Sequence, residues 1–244
     1  MSSPSTPARG RPARLDPDRT VGTALELLDE AGLDALTMRR LADALGVQAG
    51  ALYRYFATKQ DLLTAMAERM LADAGTPPAA AATPDADWSE RLADLARAMR
   101  AALLARRDGA RVFAGTHSTG PHTLGFAETM IGVLREAGFD DRDAAHTLMA
   151  VANFTVGHTL EEQAALRPGS GDPADPERLC QAVTVTPGRF PHLATALPTL
   201  TGTDFTAGFE FGLRVLVQGL RTLDRTGHRH GYAAGHGGGG RERS

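Results

Sequence analysis

The sequence predicts an all-α protein with an N-terminal three-helix helix-turn-helix domain and a larger helical domain. Apolar residues recur at helical spacing over most of the chain, and no segment shows the strict alternation of a half-buried strand. Two short helical segments meet at Gly46, which permits the tight turn of a helix-turn-helix. A Pro/Ala-rich stretch at 75–85 then interrupts the pattern. We therefore place the first domain at residues 16–60 and the second at 61–226, connected by a helix over 58–74.

Capping residues and apolar spacing set the individual helices. Side-chain oxygens cap the free N–H groups at a helix start, and glycine accommodates the backbone after the last turn. In the first domain the predicted helices run from Asp16 to Gly32, from Thr37 to Gly46, over 48–56 and from Thr58 to 74. In the second they cover 88–104, a short turn ending at Phe113, a helix ending at Gly138, a long helix from Asp140 to Leu166, and segments 193–200 and 204–223.

Three segments lack helical spacing. Residues 1–15 are rich in Ser, Pro and Arg and predict a disordered basic arm, and residues 227–244 are Gly-rich and predict a disordered tail. Residues 168–188 contain four prolines and predict a loop.

The composition is that of a soluble globular protein, with 42% hydrophobic and 23% charged residues among 244. The net charge of −3 argues against a protein that coats nucleic acid over its whole surface, so any DNA-binding charge is local. Cys180 is the only cysteine, which excludes an internal disulfide or a cysteine zinc cluster. With no long apolar span and no signal peptide, we expect a cytoplasmic protein that does not enter the membrane.

Several histidines invite an enzyme hypothesis, and their surroundings argue against it. His117 precedes Ser118, and His146 and His158 lie on the long helix. None of them belongs to a nucleophile elbow, a zinc-protease motif or a phosphate loop. We therefore predict that the chain is not an enzyme.

The helix-turn-helix presents a short outward face suited to the major groove of DNA. Small residues form the end of this face that would enter the groove, and aromatic and basic residues follow them in the chain. Packing alone does not require this pattern. Gln48 and Arg54 are the candidates for contacts with base edges. The predicted phosphate contacts are Thr37, Arg39, Arg40, Tyr53, Tyr55 and Lys59, and the small entering residues are Ala49, Gly50 and Ala51.

The segment Val21–Leu63 resembles the DNA-binding domain of the TetR family of repressors. The stretch ALELLDEAGLDALTMRRLADALGV followed by GALYRYFATKQDLL follows that family's pattern over its full length. Residues 101–116, 148–164 and 208–220 resemble the tetracycline-binding members of the family. The resemblance implies a homodimer, joined in a four-helix bundle by helices near 142–166 and 204–223, that binds a double-stranded DNA operator and a small-molecule effector.

The resemblance also implies an effector pocket, without its usual metal. In the tetracycline-binding members, a histidine before a Gly-Thr loop holds the drug's magnesium ion, helped by that threonine and a glutamate of the long helix. Here Phe113 stands at the histidine position, while Thr116 and Glu161 are kept. Because Mg²⁺ takes oxygen ligands, we predict no metal site, no cofactor and no tetracycline–magnesium binding.

The residues at the remaining pocket positions predict an apolar or aromatic effector. The expected walls are Leu95, Met99, Phe113, Met130 and Leu134, and the expected polar groups are Thr116, His117, Asn153 and Glu161. Ordinary roles stay open for some of them: Leu95 and Leu134 as core, His117 as an exposed loop residue, and Glu161 as a surface or interface charge.

The function that follows is a ligand-responsive transcriptional repressor of an efflux or antibiotic-related gene. Two alternatives remain at this stage. One is a DNA-binding regulator without a small-molecule ligand, and the other is an activator, since the position of the operator decides the sign of regulation.

Overall fold

The computed structural model describes residues 15–73, 87–166, 176–185 and 188–223, and every regular element within them is helical. The all-α prediction is therefore confirmed. The two terminal segments predicted to be disordered lie outside these residues, apart from Leu15, and so does the 75–85 linker. Within the described part of the chain, no helix is long and apolar enough to cross a membrane.

The first three helices form the N-terminal unit: α1 (Pro17–Ala31), α2 (Met38–Leu45) and α3 (Ala49–Leu52). The Thr37 hydroxyl accepts the Arg40 N–H at 3.1 Å and so starts α2. Gly46 ends it with φ of +66°, in the left-handed region that favours glycine. Leu28, Leu41 and Leu52 are fully buried where the three helices meet. The predicted caps of α2 are confirmed.

The third helix is shorter than the predicted span of 48–56, which was wrong at its end. It stops at Leu52, and the amides of Tyr55 and Phe56 both donate to the Leu52 carbonyl at 2.9 Å. A capping box then starts α4 (Lys59–Asp73): the Thr58 N–H donates to the Asp61 carboxylate, and the Asp61 N–H donates to the Thr58 hydroxyl. The start of α4 at this capping box changes the direction of the chain, so α3 does not extend to Phe56.

The described part of the larger domain contains α5 (Trp88–Leu104), α6 (Gly109–Ala114), α7 (Pro121–Glu136), α8 (Asp141–Ala165), α9 (Pro176–Thr184), α10 (Pro191–Leu200) and α11 (Phe205–Leu223). The long helix α8 packs against α5, α6, α7 and α11. The loop predicted at 168–188 was wrong in part, because α9 lies inside it. Leu179 and Val183 are one helical turn apart, and Val183 is buried, but the flanking prolines conceal this short pattern.

The corner between α5 and α6 is held by hydrogen bonds from α8. The Gln163 amide nitrogen donates to the carbonyls of Leu103 and Arg106 at 3.1 and 2.8 Å, and its oxygen accepts the Ala110 N–H at 3.0 Å. Gly109 is buried in this corner, where a Cβ would overlap the carbonyl oxygen of Leu103. The corner therefore requires glycine for close approach of the backbone.

We expect Gly109→Ala to lower the free energy of unfolding by about 2 kcal/mol or more, because the added methyl overlaps backbone rather than a flexible side chain. The matched control is Gly125→Ala in α7, where a Cβ meets nothing within 4 Å and alanine favours the helix by about 0.5–1 kcal/mol. Urea denaturation of both variants measures the difference. Equal midpoints would contradict this account of the corner.

Candidate nucleic-acid interface and effector site

The N-terminal unit presents the predicted DNA face to solvent. None of its eleven residues is buried, and those that are exposed or half-buried are Thr37, Arg39, Arg40, Gln48, Ala49, Gly50, Ala51, Tyr53, Arg54, Tyr55 and Lys59. The two tyrosines stand out among them, because Tyr53 and Tyr55 are 50% and 43% exposed. A large aromatic side chain at such exposure is available to a partner surface.

The entering end of this face is flat. A Cβ on Gly50 would meet nothing within 4 Å, and its neighbours Ala49 and Ala51 carry only a methyl. At the start of α2, the Thr37 oxygen accepts the Arg40 amide, and its hydroxyl hydrogen stays available to donate. Lys59 lies beside α2 with its Nζ 3.5 Å from the Leu33 carbonyl. These donors surround a surface that can approach a groove closely.

The three arginines of this face have no carboxylate partner within the described part of the chain, unlike several arginines of the larger domain. Within the described residues, no acidic side chain forms an ion pair with Arg39, Arg40 or Arg54. In the larger domain, Arg97 and Arg100 are both paired with glutamates at 2.7–2.8 Å. The net negative chain therefore leaves its local positive charge where an anionic partner can reach it.

Residues 106–109 not only interrupt the helices but also bond to the N-terminal unit, a role that the sequence did not reveal. Arg106 donates to the Asp29 carboxylate of α1 at 2.8 Å, and this hydrogen bond outweighs burial and raises the pKa of the guanidinium. The buried Asp108 carboxylate accepts the Leu33 N–H at 2.8 Å. Arg111 reaches Asp34 at 2.9 Å. These bonds attach the end of α1 directly to the larger domain.

The predicted apolar pocket residues fall into two adjoining clusters. Leu95, Met130 and Leu134 are at most 1% exposed and belong to one cluster. Met99 belongs to the other, against which the half-buried Phe113 packs. Phe126, on α7, packs against both clusters and was not among the predicted residues. The structure thus brings the five predicted apolar residues to one region between α5, α6 and α7.

The predicted polar residues lie mostly outside that region. His117, Asn153 and Glu161 are exposed in the chain, and Thr116 is half-buried with its hydroxyl donating to the Phe113 carbonyl at 2.9 Å. A magnesium ion does not fit this set, because Phe113 has no ligand atom and the Glu161 carboxylate lies on the surface. Within the described residues, no group of three His, Cys, Asp or Glu could hold a metal ion.

Thr155 is one of several polar residues that α8 buries. It is fully buried, and its Oγ1 has no hydrogen-bond partner in the described part of the chain. One turn earlier, Val151 belongs to the cluster of Leu95, while Ala152 packs against the cluster of Met99. Thr155 therefore faces the junction of the two clusters. The recurrence of Thr147, Thr155 and Thr159 on one face of α8 was the sequence signal for it.

A charged cluster borders the apolar region between α5, α8 and α11. Arg100 and Glu162 form a two-pronged ion pair, with 14% and 10% of their side chains exposed, and Arg100 also stacks 5.1 Å from the Phe209 ring. His158 lies against Phe209 and has a buried Nδ1 without a partner among the described residues. Burial, and then the charge of Arg100, lower the pKa of this histidine. Both effects favour the neutral imidazole.

A groove of about 470 Å³ lies elsewhere, between α5 and α11. None of the nine predicted effector residues lines it; its lining consists of Ser89, Glu90, Ala93, Asp94, Arg97, Glu210, Leu213, Arg214 and Val217. Arg97 is already paired with Asp94 of its own helix and with Glu210 across the groove. The groove therefore offers a largely neutralised polar surface.

Comparisons with known proteins agree with this architecture. Residues 21–66 match the family model described as bacterial regulatory proteins, tetR family, and residues 80–223 match the tetracyclin repressor-like C-terminal domain. The chain is 42% identical over 207 residues to the tetracycline repressor protein class A from transposon 1721 of Escherichia coli, covering 85% of this chain and 91% of that one.

Two solved structures show the same arrangement. A possible TetR family transcriptional regulator from Streptomyces coelicolor is 69% identical, with a TM-score of 0.79 over 85% of this chain and all of that one. The Streptomyces coelicolor protein ActR in complex with actinorhodin is 30% identical, with a TM-score of 0.75 over 87% of this chain and 99% of that one.

The fold and the exposed helix-turn-helix define a helical DNA-binding regulator, not an enzyme. The chain belongs to the TetR family of transcriptional repressors. The family resemblance read from the sequence is thereby confirmed.

Proposed function

We propose that the chain is a ligand-responsive repressor that binds a palindromic operator as a homodimer and is released by a small apolar or aromatic effector. The observation that carries the DNA-binding half is the set of surface arginines around a short helix with a flat entering end, none of which pairs with an acidic side chain of the described residues. In this proposal Gln48 and Arg54 contact base edges, and the other residues of the face contact phosphates or lie against the groove. As a DNA-binding transcriptional repressor, the protein is expected to act in the cytoplasm.

We expect Arg54→Ala to weaken operator binding by about 5- to 150-fold, the loss of one guanine contact of 1–3 kcal/mol. The operator is a duplex selected from a random pool by the wild-type protein, and the measurement is its affinity at fixed salt. The control is Arg189→Ala, an exposed arginine of the larger domain. A loss that is equal for every duplex would assign Arg54 to a phosphate, and no loss would remove it from the interface.

The proposed dimer uses the outer faces of α8 and α11. Met149 on α8 and Phe211 and Val215 on α11 are large apolar residues that are 55–62% exposed in the single chain. An apolar face of this kind on neighbouring helices suits a four-helix bundle between two copies. A two-fold dimer places its recognition helices about one DNA turn, roughly 34 Å, apart, which requires a near-palindromic operator.

We expect Phe211→Glu to convert the dimer to a monomer, because it places a charge in an apolar interface. Sedimentation velocity gives the mass of each species. The control is Leu124→Glu on α7, an equally conspicuous apolar residue at 55% exposure that lies outside the proposed interface. A Phe211→Glu protein that stays dimeric would exclude this face.

The proposed effector lies between α5, α6, α7 and α8. The walls are Leu95, Met99, Phe113, Met130 and Leu134. Thr155 is the polar group that orients the ligand. Its buried hydroxyl has no hydrogen-bond partner among the described residues, which is costly unless a ligand forms that hydrogen bond. Thr116, His117, Asn153 and Glu161 remain candidates for the rim of the site or, for the last two, for contacts across the dimer. The regulated gene is expected to be an efflux or antibiotic-related gene, by analogy with the repressors named above.

We expect Thr155→Val to raise the unfolding midpoint while lowering effector affinity by about 2- to 12-fold, the value of one hydrogen bond. The effector is whichever member of a panel of aromatic antibiotics, actinorhodin included, releases the wild-type protein from its selected operator. Tetracycline with Mg²⁺ belongs to the panel and is expected to leave the complex intact.

The matched control is Thr159→Val, whose hydroxyl already donates to the Thr155 carbonyl at 2.7 Å and has no free capacity to donate to a ligand. Unchanged effector affinity in the Thr155→Val protein would exclude Thr155 from the site.

A regulator without a small-molecule ligand is the second candidate. The near-zero exposure of Leu95, Met130 and Leu134 favours it, because side chains so completely packed can serve as core alone. An antibiotic panel in which nothing releases the operator would support this reading.

A further inference from the structure

The helix that connects the two domains provides the N-terminal cap of another helix. Glu68, on α4, directs its carboxylate at the start of α7. It accepts hydrogen bonds from the Ser118 hydroxyl at 2.6 Å, from the backbone N–H groups of His122 and Thr123 at 2.9 and 3.1 Å, and from the Thr123 hydroxyl. We call this arrangement the Glu68 cap.

The start of α7 depends on this distant residue because its own sequence supplies no cap. Gly120 stands at the N-cap position without a side chain, and Pro121 follows it. The first amides of a helix have no partner within the helix, and a negative charge is favourable there. Burial alone raises the pKa of Glu68, but the hydrogen bonds, led by those of Ser118 and Thr123, lower it below its usual value. A Cβ at Gly120 would overlap the carboxylate, so this approach requires glycine.

A second bond ties α4 to the beginning of the same loop. The Gln60 side-chain amide donates to the Gly115 carbonyl at 2.5 Å, where α6 ends. Gln60 and Glu68 are eight residues apart on one helix, about 12 Å along its axis. The loop of residues 115–120, which carries Thr116 and His117, is thus attached to α4 at both ends.

We propose that Glu68 is a positioning residue that couples the loop of residues 115–120 and the start of α7 to the N-terminal unit through α4. A shift of the loop or of the first turn of α7 must either carry α4 with it or break the four hydrogen bonds of the Glu68 cap. Because α4 follows the helix-turn-helix in the chain after a short turn and packs against α1, its tilt sets the position of the reading helix. This inference rests on the proposed function, and it adds the residue through which the two halves of that function communicate.

Hydrogen–deuterium exchange on the full chain tests the coupling without an effector or an operator. In the Glu68→Gln and Glu68→Ala proteins, amides of residues 122–124 are expected to exchange faster, and so are those of Leu62–Met66, which lie nearer the reading unit than the substitution. A residue that merely caps α7 accelerates only the first group. The control is Glu128→Gln, an exposed glutamate on α7, which is expected to leave both groups unchanged.

Operator affinity gives the second readout. Glu68 lies outside the DNA face, yet both variants are expected to bind the selected duplex about 2- to 30-fold more weakly, since the tilt of α4 is less defined. Glu68→Gln keeps the size of the side chain and one acceptor oxygen. If Glu68→Ala fails to fold, the Glu68→Gln protein therefore decides the outcome. Faster exchange confined to α7, together with unchanged operator affinity, would overturn the proposal. A wild-type protein that selects no duplex would refute the proposed function instead, and the exchange result would still decide the role of Glu68.

Discussion

The corner between α5 and α6 is the constraint on which both domains depend. The chain turns there with Asp108 in the left-handed region, at φ of +57°, and with Gly109 packed against the Leu103 carbonyl. Gln163 of α8 forms hydrogen bonds with the free backbone groups of this turn, while the Asp108 carboxylate accepts the Leu33 N–H of the N-terminal unit. A buried turn whose polar groups are shared between two domains fixes the position of each relative to the other.

Helix α4 has a second, different connection to the larger domain. Its apolar side is buried, with Leu62, Met66 and Met70 at most 2% exposed. Its polar side holds the loop of residues 115–120 through Gln60 and Glu68. Packing of this kind transmits a displacement efficiently, because close-packed side chains have few intermediate positions. The polar bonds then determine which part of the larger domain moves with the helix.

The arrangement of charge explains how a chain of net charge −3 serves as a DNA-binding repressor. Several arginines of the larger domain pair with nearby carboxylates, as Arg100 does with Glu162 and Arg106 does with Asp29. The arginines around α3 have no such partners among the described residues. Positive potential is therefore concentrated on one face, where it acts over about a Debye length and attracts phosphate without making the whole surface adhesive.

Local chemistry in the sequence determined most of the helices, the Gly46 turn and the outward face from Thr37 to Lys59, since caps, glycines and apolar spacing act within a few residues. It did not reveal the end of α3 or the short helix α9. The family resemblance, rather than local chemistry, placed Phe113 at the position of a metal-binding histidine. Local chemistry could not reveal which polar groups meet across long separations: Glu68 with Ser118, Gln163 with the α5–α6 corner, or Asp29 with Arg106. Nor could it show that Thr155 turns inward while Asn153 and Glu161 turn outward, because several faces of α8 are apolar. Those pairings depend on how the helices pack, and only the tertiary structure decided them.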